Sequence, residues 1–148
     1  MGKNIGFVST RFAGTDGVSL EAAKWSETLQ KSGHCCFWFA GDLDREPERS
    51  LCVPEAFFQH ERNRVVDAEI FGKKHRRRET TEAIHSLRAF LKQGLYAFIE
   101  RFQIDMLVTE NVLTIPMHVP LGLAIAETIA ETQIPTVAHH HDFYWERD

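Results

Sequence analysis

The sequence predicts an α/β protein with a Rossmann-like, doubly wound and mainly parallel sheet that has helices on both faces. Short apolar runs alternate with longer segments of helical periodicity, as in βαβ units. The apolar runs are nearly continuous, which is typical of strands covered on both faces. Neither an internal repeat nor an interdomain linker interrupts the pattern, so residues 1–148 are expected to form a single domain.

A β–loop–α–β unit is predicted within the first forty residues. Residues 5–9 form an apolar strand, a glycine-bearing loop follows at residues 12–17, and residues 35–40 form a second strand. Asp16 can cap the intervening helix and Gly33 stands where a left-handed glycine ends one. The helix has a single apolar face, formed by Val18, Ala22, Trp25 and Leu29. Such crossovers are almost always right-handed.

The rest of the chain is expected to continue the alternation. Residues 42–49 are a charged loop, and a short strand is expected within residues 53–60. A long helix begins at Glu79, where Gly94 costs about 1 kcal/mol unless a neighbour approaches closely. Its apolar stripe consists of Ile84, Leu87, Leu91, Leu95, Phe98 and Phe102. A strand at 105–109, a helix at 121–132 with Pro120 near its first turn, and a buried parallel strand at 134–138 complete the pattern.

Composition and charge narrow the function classes. The chain has 43% hydrophobic and 26% charged residues with a net charge of -4, which excludes bulk binding of nucleic acid. Its three cysteines, Cys35, Cys36 and Cys52, are odd in number and are interpreted as reduced thiols. No apolar run approaches the roughly 20 residues of a spanning helix. A cytoplasmic protein is therefore expected.

A basic run precedes the long helix and has three interpretations. It consists of Lys73, Lys74, Arg76, Arg77 and Arg78. A solvated loop or helix start explains it most simply. The alternative is peripheral docking to anionic lipid at the inner membrane face, at about 1 kcal/mol per basic residue. Nucleic acid is not expected because no recognition motif accompanies the run.

The loop at residues 11–17 joins the first strand to the first helix. Exposed N–H groups and the helix dipole make such a position suited to an anion, and glycine permits close approach of a ligand. Its spacing is neither a dinucleotide fingerprint nor a P-loop. A tight turn with Asp16 as a plain helix cap explains the loop equally well.

The histidines at 139–141 follow the last predicted strand, at the edge of the sheet where α/β proteins bind ligands. In an extended segment His139 and His141 share one face and His140 points the other way. A metal is not expected, because no second cluster with ligand spacing exists. One imidazole is expected to be buried and hydrogen-bonded, and another to contact a substrate.

Other groups near the end of the chain carry weaker alternatives. Asp142, Glu146 and Asp148 could include a glycosidase carboxylate pair, but that chemistry requires a set separation that a sequence does not give. The aromatic residues at 143–145 either stack on a sugar or base, or cover the end of the sheet.

In combination, these segments resemble the N-terminal domain of family-4-like retaining glycosyltransferases of the GT-B fold. The glycine loop and first helix resemble the family at residues 14–21 and 32–34, and the later strand–loop–helix–strand portion does so at 111–122 and 134–142. The ending HisHisAspPheTyrTrpGluArg is the most specific of these motifs. The resemblance covers most of the chain, in pieces.

The resemblance implies transfer of a sugar from a nucleotide-diphosphate donor to a small-molecule acceptor, with retention and with no metal or cofactor. Gly14 and Gly17 would line the donor phosphates or the acceptor, and His140 or His141 would contact the donor sugar. Asp16, Asn111 and Asp142 would lie on the acceptor side. The catalytic candidates are therefore His140, His141 and Asp142, and the donor- or acceptor-binding candidates are Gly14, Asp16, Gly17, Asn111 and His139.

The family has a second, nucleotide-binding domain that the sequence lacks, and that domain stabilises the leaving diphosphate. Such stabilisation is usually the largest catalytic contribution. The chain is thus expected to be an N-terminal, acceptor-side half that needs a C-terminal partner domain and is almost inactive alone. Two alternatives stay open: a non-catalytic Rossmann-like module that binds an anion or nucleotide, and a metal-dependent hydrolase built on the histidines.

Overall fold

Five parallel strands form the central sheet of the computed structural model, which describes residues 1–146. The strands in chain order are β1 (Asn4–Val8), β2 (Arg11–Phe12), β3 (Cys35–Ala40), β4 (Asp42–Leu43), β5 (Ser50–Cys52), β6 (Met106–Glu110) and β7 (Thr136–His139). The sheet order is β5-β3-β1-β6-β7, and the short β2 and β4 pair separately. Asp148, one of the candidate carboxylates, lies outside the described residues.

Helices cover both faces of this sheet. They are α1 (Gly17–Lys31), α2 (Glu61–Ile70), α3 (Arg78–Phe102) and α4 (Val119–Thr132), with 3-10 turns at Pro47–Arg49, Pro54–Ala56 and Tyr144–Glu146. On one face α1 packs over Phe7, Trp38 and Val108. On the other, α3 and α4 pack over Val8, Phe39 and Leu107. Alternate residues of each strand therefore enter opposite cores, which confirms the doubly wound α/β prediction.

Local chemistry fixes where the helices begin and end. Asp16 caps α1, as predicted, by accepting the backbone N–H of Ser19 at 2.9 Å. Gly33 follows the helix with φ +90°, a conformation that favours glycine. Gly94 allows α3 to approach the sheet, because an added Cβ would lie 3.3 Å from Val53 and 3.5 Å from Phe39. The expected penalty for a helical glycine is thus accompanied by close packing.

The segment between β3 and α3 differs from the prediction. The strand there is β5, which ends at Cys52, whereas residues 54–56 form a 3-10 turn. The expected short strand within residues 53–60 is wrong, and the helix α2 was not predicted. Pro54 cannot donate to a ladder, which explains why the strand stops before it. In α2 few positions are apolar, so helical periodicity is weak there.

The last strand lies at the edge of the sheet and is less buried than predicted. β7 pairs with β6 in parallel register from Leu107 with Thr136 to Glu110 with His139. Val137 is 40% exposed and Ala138 is also exposed. The prediction of a parallel strand is correct, but its predicted burial is wrong, because an edge position has a neighbouring strand on one side only.

The basic run lies on the exposed segment between α2 and α3, and α3 begins at Arg78. Arg77 approaches Glu69 at 3.5 Å and Arg78 approaches Glu82 at 3.0 Å. This arrangement fits a solvated loop and helix start. Within residues 1–146, none of the helices combines the length and apolar character needed to cross a membrane. The contact with anionic lipid stays a prediction.

The strand order reverses between β1 and β6, which are neighbours in the sheet although about a hundred residues separate them. All five strands run in the same direction, so their carboxyl ends meet at one edge. In folds of this kind ligands bind in the crevice at that edge, at the point of reversal. The fold therefore brings the glycine loop after β1, the polar end of β6 and the histidines of β7 to the same side.

Candidate functional site

A cavity of about 190 Å³ lies where the carboxyl ends of β1 and β6 diverge. Its polar lining comes from both strand ends and from the glycine loop: Ser9, Thr10, Arg11, Asp16, Glu110 and Asn111. Phe58 and Met117 form apolar walls. The Ser9 hydroxyl donates to the backbone carbonyl of Glu110 at 2.9 Å and so ties the two strand ends together. The cavity therefore occupies the position at which this fold class binds ligands.

A larger groove of about 630 Å³ lies between α1 and β3, lined by residues such as Glu27, Lys31, Trp38 and Arg45. The guanidinium of Arg45 lies over the Trp38 ring at 4.8 Å, which leaves that ring face covered. None of the predicted site residues lines this groove. Position in the fold therefore favours the smaller cavity as the candidate site.

Three side chains meet beside the cavity and are called the edge cluster here: Glu110, His139 and His141. Glu110 is completely buried, and its Oε2 atom lies 2.8 Å from His141 Nε2 and 2.9 Å from His139 Nδ1. The two imidazole side chains are 23% and 19% exposed. A buried carboxylate is costly unless it is paired and hydrogen-bonded. The two imidazoles supply both the donors and, when protonated, the opposite charge.

The placement of the histidines confirms the predicted alternation along β7. The rings of His139 and His141 lie 4.5 Å apart on one face, and the Trp25 ring of α1 stacks on His139 at 4.4 Å. His140 points the other way and is hydrogen-bonded to Thr114. Of the three predicted site histidines, two therefore join the edge cluster and the third contacts the loop after β6.

Asn111 holds the segment that follows β7. Its backbone is left-handed, with φ 58°, which asparagine tolerates better than most residues. The Asn111 Oδ1 accepts the N–H groups of His141 at 3.0 Å and Asp142 at 3.2 Å. Its Nδ2 donates to the Asp142 carboxylate at 3.1 Å. Asn111 thus lines the cavity and also positions two of the catalytic candidates.

The glycine loop is a tight turn surrounded by carboxylates. Gly14 has φ +74° and its N–H donates to the Asp44 carboxylate at 2.8 Å. Asp16 accepts from both the N–H and the hydroxyl of Ser19. Gly17 begins α1, and a Cβ added there would meet no atom within 4 Å. The amides of Gly14 and Ser19 therefore already donate to acidic side chains.

Two buried side chains fix the loop between β6 and α4, and together they are called the loop anchor: Asn63 and His118. Asn63 is fully buried and its Nδ2 donates to the carbonyls of Phe58 at 2.8 Å and Met117 at 3.0 Å. Both residues are walls of the cavity. The loop anchor therefore sets the distance between those walls.

His118 caps α4 and is neutral. Its Nδ1 accepts the backbone N–H of Leu121 at 3.1 Å, so its Nε2 carries the proton that is donated to the Glu55 carbonyl at 2.8 Å. Burial lowers the pKa of His118 to about 4, against the opposing effect of the hydrogen bond to Glu55. This histidine has a structural role at neutral pH.

Two aromatic side chains after β7, Phe143 and Trp145, lie at the surface. Phe143 and Trp145 stack on each other at 4.6 Å and are both exposed. The Glu146 carboxylate accepts the N–H of Phe143 at 2.9 Å. Both interpretations from the sequence, stacking on a sugar or base and covering the end of the sheet, stay predictions.

Sequence reasoning missed Glu110, Asn63 and His118. A signal existed for Glu110, since a carboxylate directly after an apolar parallel strand falls at the ligand-binding edge. Glu110 also adds, from a second strand, a metal-ligating side chain that sequence reasoning did not place near the histidines. Asn63 gives no such signal, because its partners Phe58 and Met117 are defined only by the tertiary fold.

Comparison with known proteins relates the chain to glycosyltransferases. It is 27% identical over 97% of its length to the mannosylglucosylglycerate synthase of Petrotoga mobilis, and 29% identical over 89% of its length to the protein of the same name from Thermotoga maritima. The chain spans about a third of the length of these curated relatives, 33% and 30% respectively. No family model matches the chain. No solved structure matches it either.

Proposed function

We propose that this chain is the acceptor-side half of a retaining glycosyltransferase of the GT-B type. In this proposal a sugar moves from a nucleotide-diphosphate donor to a small hydroxylated acceptor. The observation that carries it is the polar cavity at the point of strand reversal, which has Glu110 in its wall and the other two residues of the edge cluster beside it. The similarity to two synthases that join sugar units supports the same reaction class.

The proposed roles follow the groups that line the cavity and those that Asn111 holds beside it. Asp16 and Asn111 line it and can accept or donate hydrogen bonds to acceptor hydroxyls. His141 would contact the donor sugar and Asp142 would lie on the acceptor side, and Asn111 holds both residues in place. His141 is preferred to His140 because the latter is turned toward Thr114. Glu110 would act as a positioning residue through its hydrogen bond to His141.

The size and charge of the cavity support a requirement for a second domain. At about 190 Å³ it is smaller than ordinary ligand pockets, which measure roughly 300–1,000 Å³. Among the described lining residues the cation is Arg11, which already pairs with Asp42 at 3.1 Å. A leaving diphosphate needs strong electrostatic stabilisation. The proposed site would therefore hold an acceptor but leave most of the donor to another domain.

The names of the relatives suggest an acceptor to test. Both are called mannosylglucosylglycerate synthase, so we take glucosylglycerate and related glycosides as the first acceptors and mannosyl nucleotides as the first donors. Calorimetry or ligand-observed NMR on the chain alone should detect weak acceptor binding, with a dissociation constant of roughly 1 mM. Free nucleotides should bind more weakly still.

Asp16→Asn tests the site with little disturbance of the fold, because asparagine is also a good helix cap. Loss of a charge-assisted hydrogen bond should weaken acceptor binding by about tenfold. The matched control is Glu27→Gln in the larger groove, which should leave binding unchanged. The assignment fails if Glu27→Gln weakens acceptor binding and Asp16→Asn does not.

A protein that joins this chain to a nucleotide-binding domain should transfer the sugar with retained anomeric configuration, which NMR of the first-formed product reports. An inverted product, or no transfer from any nucleotide sugar, would contradict the proposal. Sub-millimolar binding of a free nucleotide by the chain alone would instead favour the non-catalytic module. The hydrogen bond from the Gly14 N–H to the Asp44 carboxylate does not favour that module, because an anion in the glycine loop would need the same N–H group.

A further inference from the structure

Glu110, His139 and His141 offer one carboxylate and two imidazole ligands from two neighbouring strands. Their ligand atoms all lie within 4.8 Å of one another, and the shortest separations, from Glu110 Oε2 to the two ring nitrogens, are 2.8 and 2.9 Å. Zinc in proteins binds imidazole nitrogen and carboxylate oxygen at about 2.0–2.2 Å. Ligand atoms around one tetrahedral ion at such distances lie about 3.3–3.6 Å apart. Joint coordination therefore requires each ring to move away from Glu110 by less than about 1 Å.

The surroundings restrain the three ligands. Glu110 is fully buried at the end of β6, and the backbone N–H of Asn111 donates to the carbonyl of His139 at 2.8 Å. Trp25 stacks on the His139 ring, and Asn111 accepts the N–H of His141. Sites on regular elements with supported side chains hold ligand geometry better than loops do. Little rearrangement is therefore needed to bring the three donors to one ion.

The donor set also selects the kind of ion. Two imidazoles with one carboxylate favour a borderline transition metal, because magnesium and calcium prefer oxygen ligands. A divalent cation would balance the charge of the buried Glu110 more completely than neutral imidazoles do. Three protein ligands leave a fourth position free in a tetrahedral site. Glu110 lines the cavity, so that position would lie near the cavity.

We propose that the edge cluster is a binding site for a divalent transition metal, with zinc as the best-suited ion and Glu110, His139 and His141 as its ligands. The metal would take the place of the hydrogen bonds between Glu110 and the two rings. This inference rests on the geometry of the cluster and is independent of sugar transfer. Its test therefore uses no donor or acceptor.

Calorimetric titration of the purified, chelator-treated chain with zinc should give one site with a dissociation constant below about 0.1 mM. Cobalt, used as a coloured probe, should give visible absorption in the same stoichiometry. Glu110→Gln and His141→Asn should each weaken zinc binding by more than about tenfold. His140→Asn removes the adjacent imidazole, which faces Thr114, and should leave zinc binding intact.

Thermal unfolding separates loss of the site from loss of the fold. Zinc that binds the native state should raise the melting temperature of the unsubstituted chain and of His140→Asn, and should not raise that of folded Glu110→Gln or His141→Asn. Equal binding by all four proteins would overturn the proposal, because it would place the metal on other surface groups. Binding weaker than millimolar by the unsubstituted chain would overturn it as well.

Discussion

The loop anchor and the edge cluster use the same side chain, histidine, in opposite ways. In the loop anchor, His118 is 2% exposed and its ring contacts a backbone N–H and a backbone carbonyl. In the edge cluster, His139 and His141 are partly exposed and contact the carboxylate of Glu110. Burial disfavours the charged ring of His118 and lowers its pKa, whereas the two rings of the edge cluster share a buried carboxylate. The surroundings, and not the residue type, therefore distinguish the helix-capping histidine from the two histidines that contact a carboxylate.

The two regions also hold different walls of the cavity. The loop anchor fixes the apolar walls through the carbonyl groups beside Phe58 and Met117. Glu110 and Asn111 form the polar wall at the end of β6, and both are hydrogen-bonded to His141. A change in the first region should alter the stability and shape of the cavity, and a change in the second should alter its chemistry.

The largest expected difference between the two regions is their response to acid. The pKa of His118 falls from 6.5 in an unfolded chain to about 4 in the native protein. Between these values the unfolded state binds more protons, so the stability present above pH 6.5 is lost as the pH falls toward 4. The contribution amounts to about 3 kcal/mol. Urea unfolding at a series of pH values measures it.

His118→Asn is the matched variant, since asparagine can still cap α4 but does not titrate. It should be less stable at pH 7, because the Glu55 carbonyl loses its donor, and its unfolding free energy should fall less between pH 6.5 and 4. The double variant His139→Asn/His141→Asn should keep the full pH response of His118. If the double variant loses that response and His118→Asn keeps it, the assignment of the two regions is reversed.

The second expected effect concerns the amide of the loop anchor. Asn63→Ala removes the amide that donates to the part-buried carbonyls of Phe58 and Met117 and to the Asp67 carboxylate. The loss should be about 2 kcal/mol of unfolding free energy. Acceptor binding should weaken too, because both cavity walls are released. Arg64→Ala, on the exposed side of the same helix, is the control and should change neither quantity.

An Asn63→Ala variant that stays as stable as Arg64→Ala would show that the 111–118 loop is held by other contacts. Crystallography or NMR of the variant would then be expected to find Phe58 and Met117 unmoved. If Met117 alone shifts, Asn63 holds only that wall of the cavity and His118 is the main residue of the loop anchor.

The sequence predicts the sheet well because each strand and cap depends on local chemistry. The apolar run of β3, the cap at Asp16 and the left-handed Gly33 are all read from neighbours in the chain. Burial of β7 was overestimated because an edge position is a property of strand order, not of composition. The helix α2 was missed because its burial rests on Asn63 and Val66 rather than on an apolar stripe.

In the candidate site, too, some features follow from the local sequence and others only from the tertiary fold. The alternation of His139, His140 and His141 follows from strand geometry and was predictable. Their partner Glu110 is about thirty residues away and meets them only because β6 and β7 are neighbours in register. Local patterns thus identify which residues carry chemistry, and sheet topology decides which of them act together.

The smallest expected effect concerns Asn111, which joins the edge cluster to the cavity. Asn111→Gly keeps the left-handed backbone available and removes only the side chain, so it should cost about 1 kcal/mol. Asn111→Ala should cost about 1 kcal/mol more, because φ 58° is strained for alanine. Amide hydrogen exchange should accelerate at His141 and Asp142, whose N–H groups donate to the Asn111 side chain. Exchange should stay unchanged at Leu121, whose N–H donates to the His118 ring. Faster exchange at Leu121 would mean that the two regions unfold together. A substitution in the edge cluster would then also disturb the loop anchor.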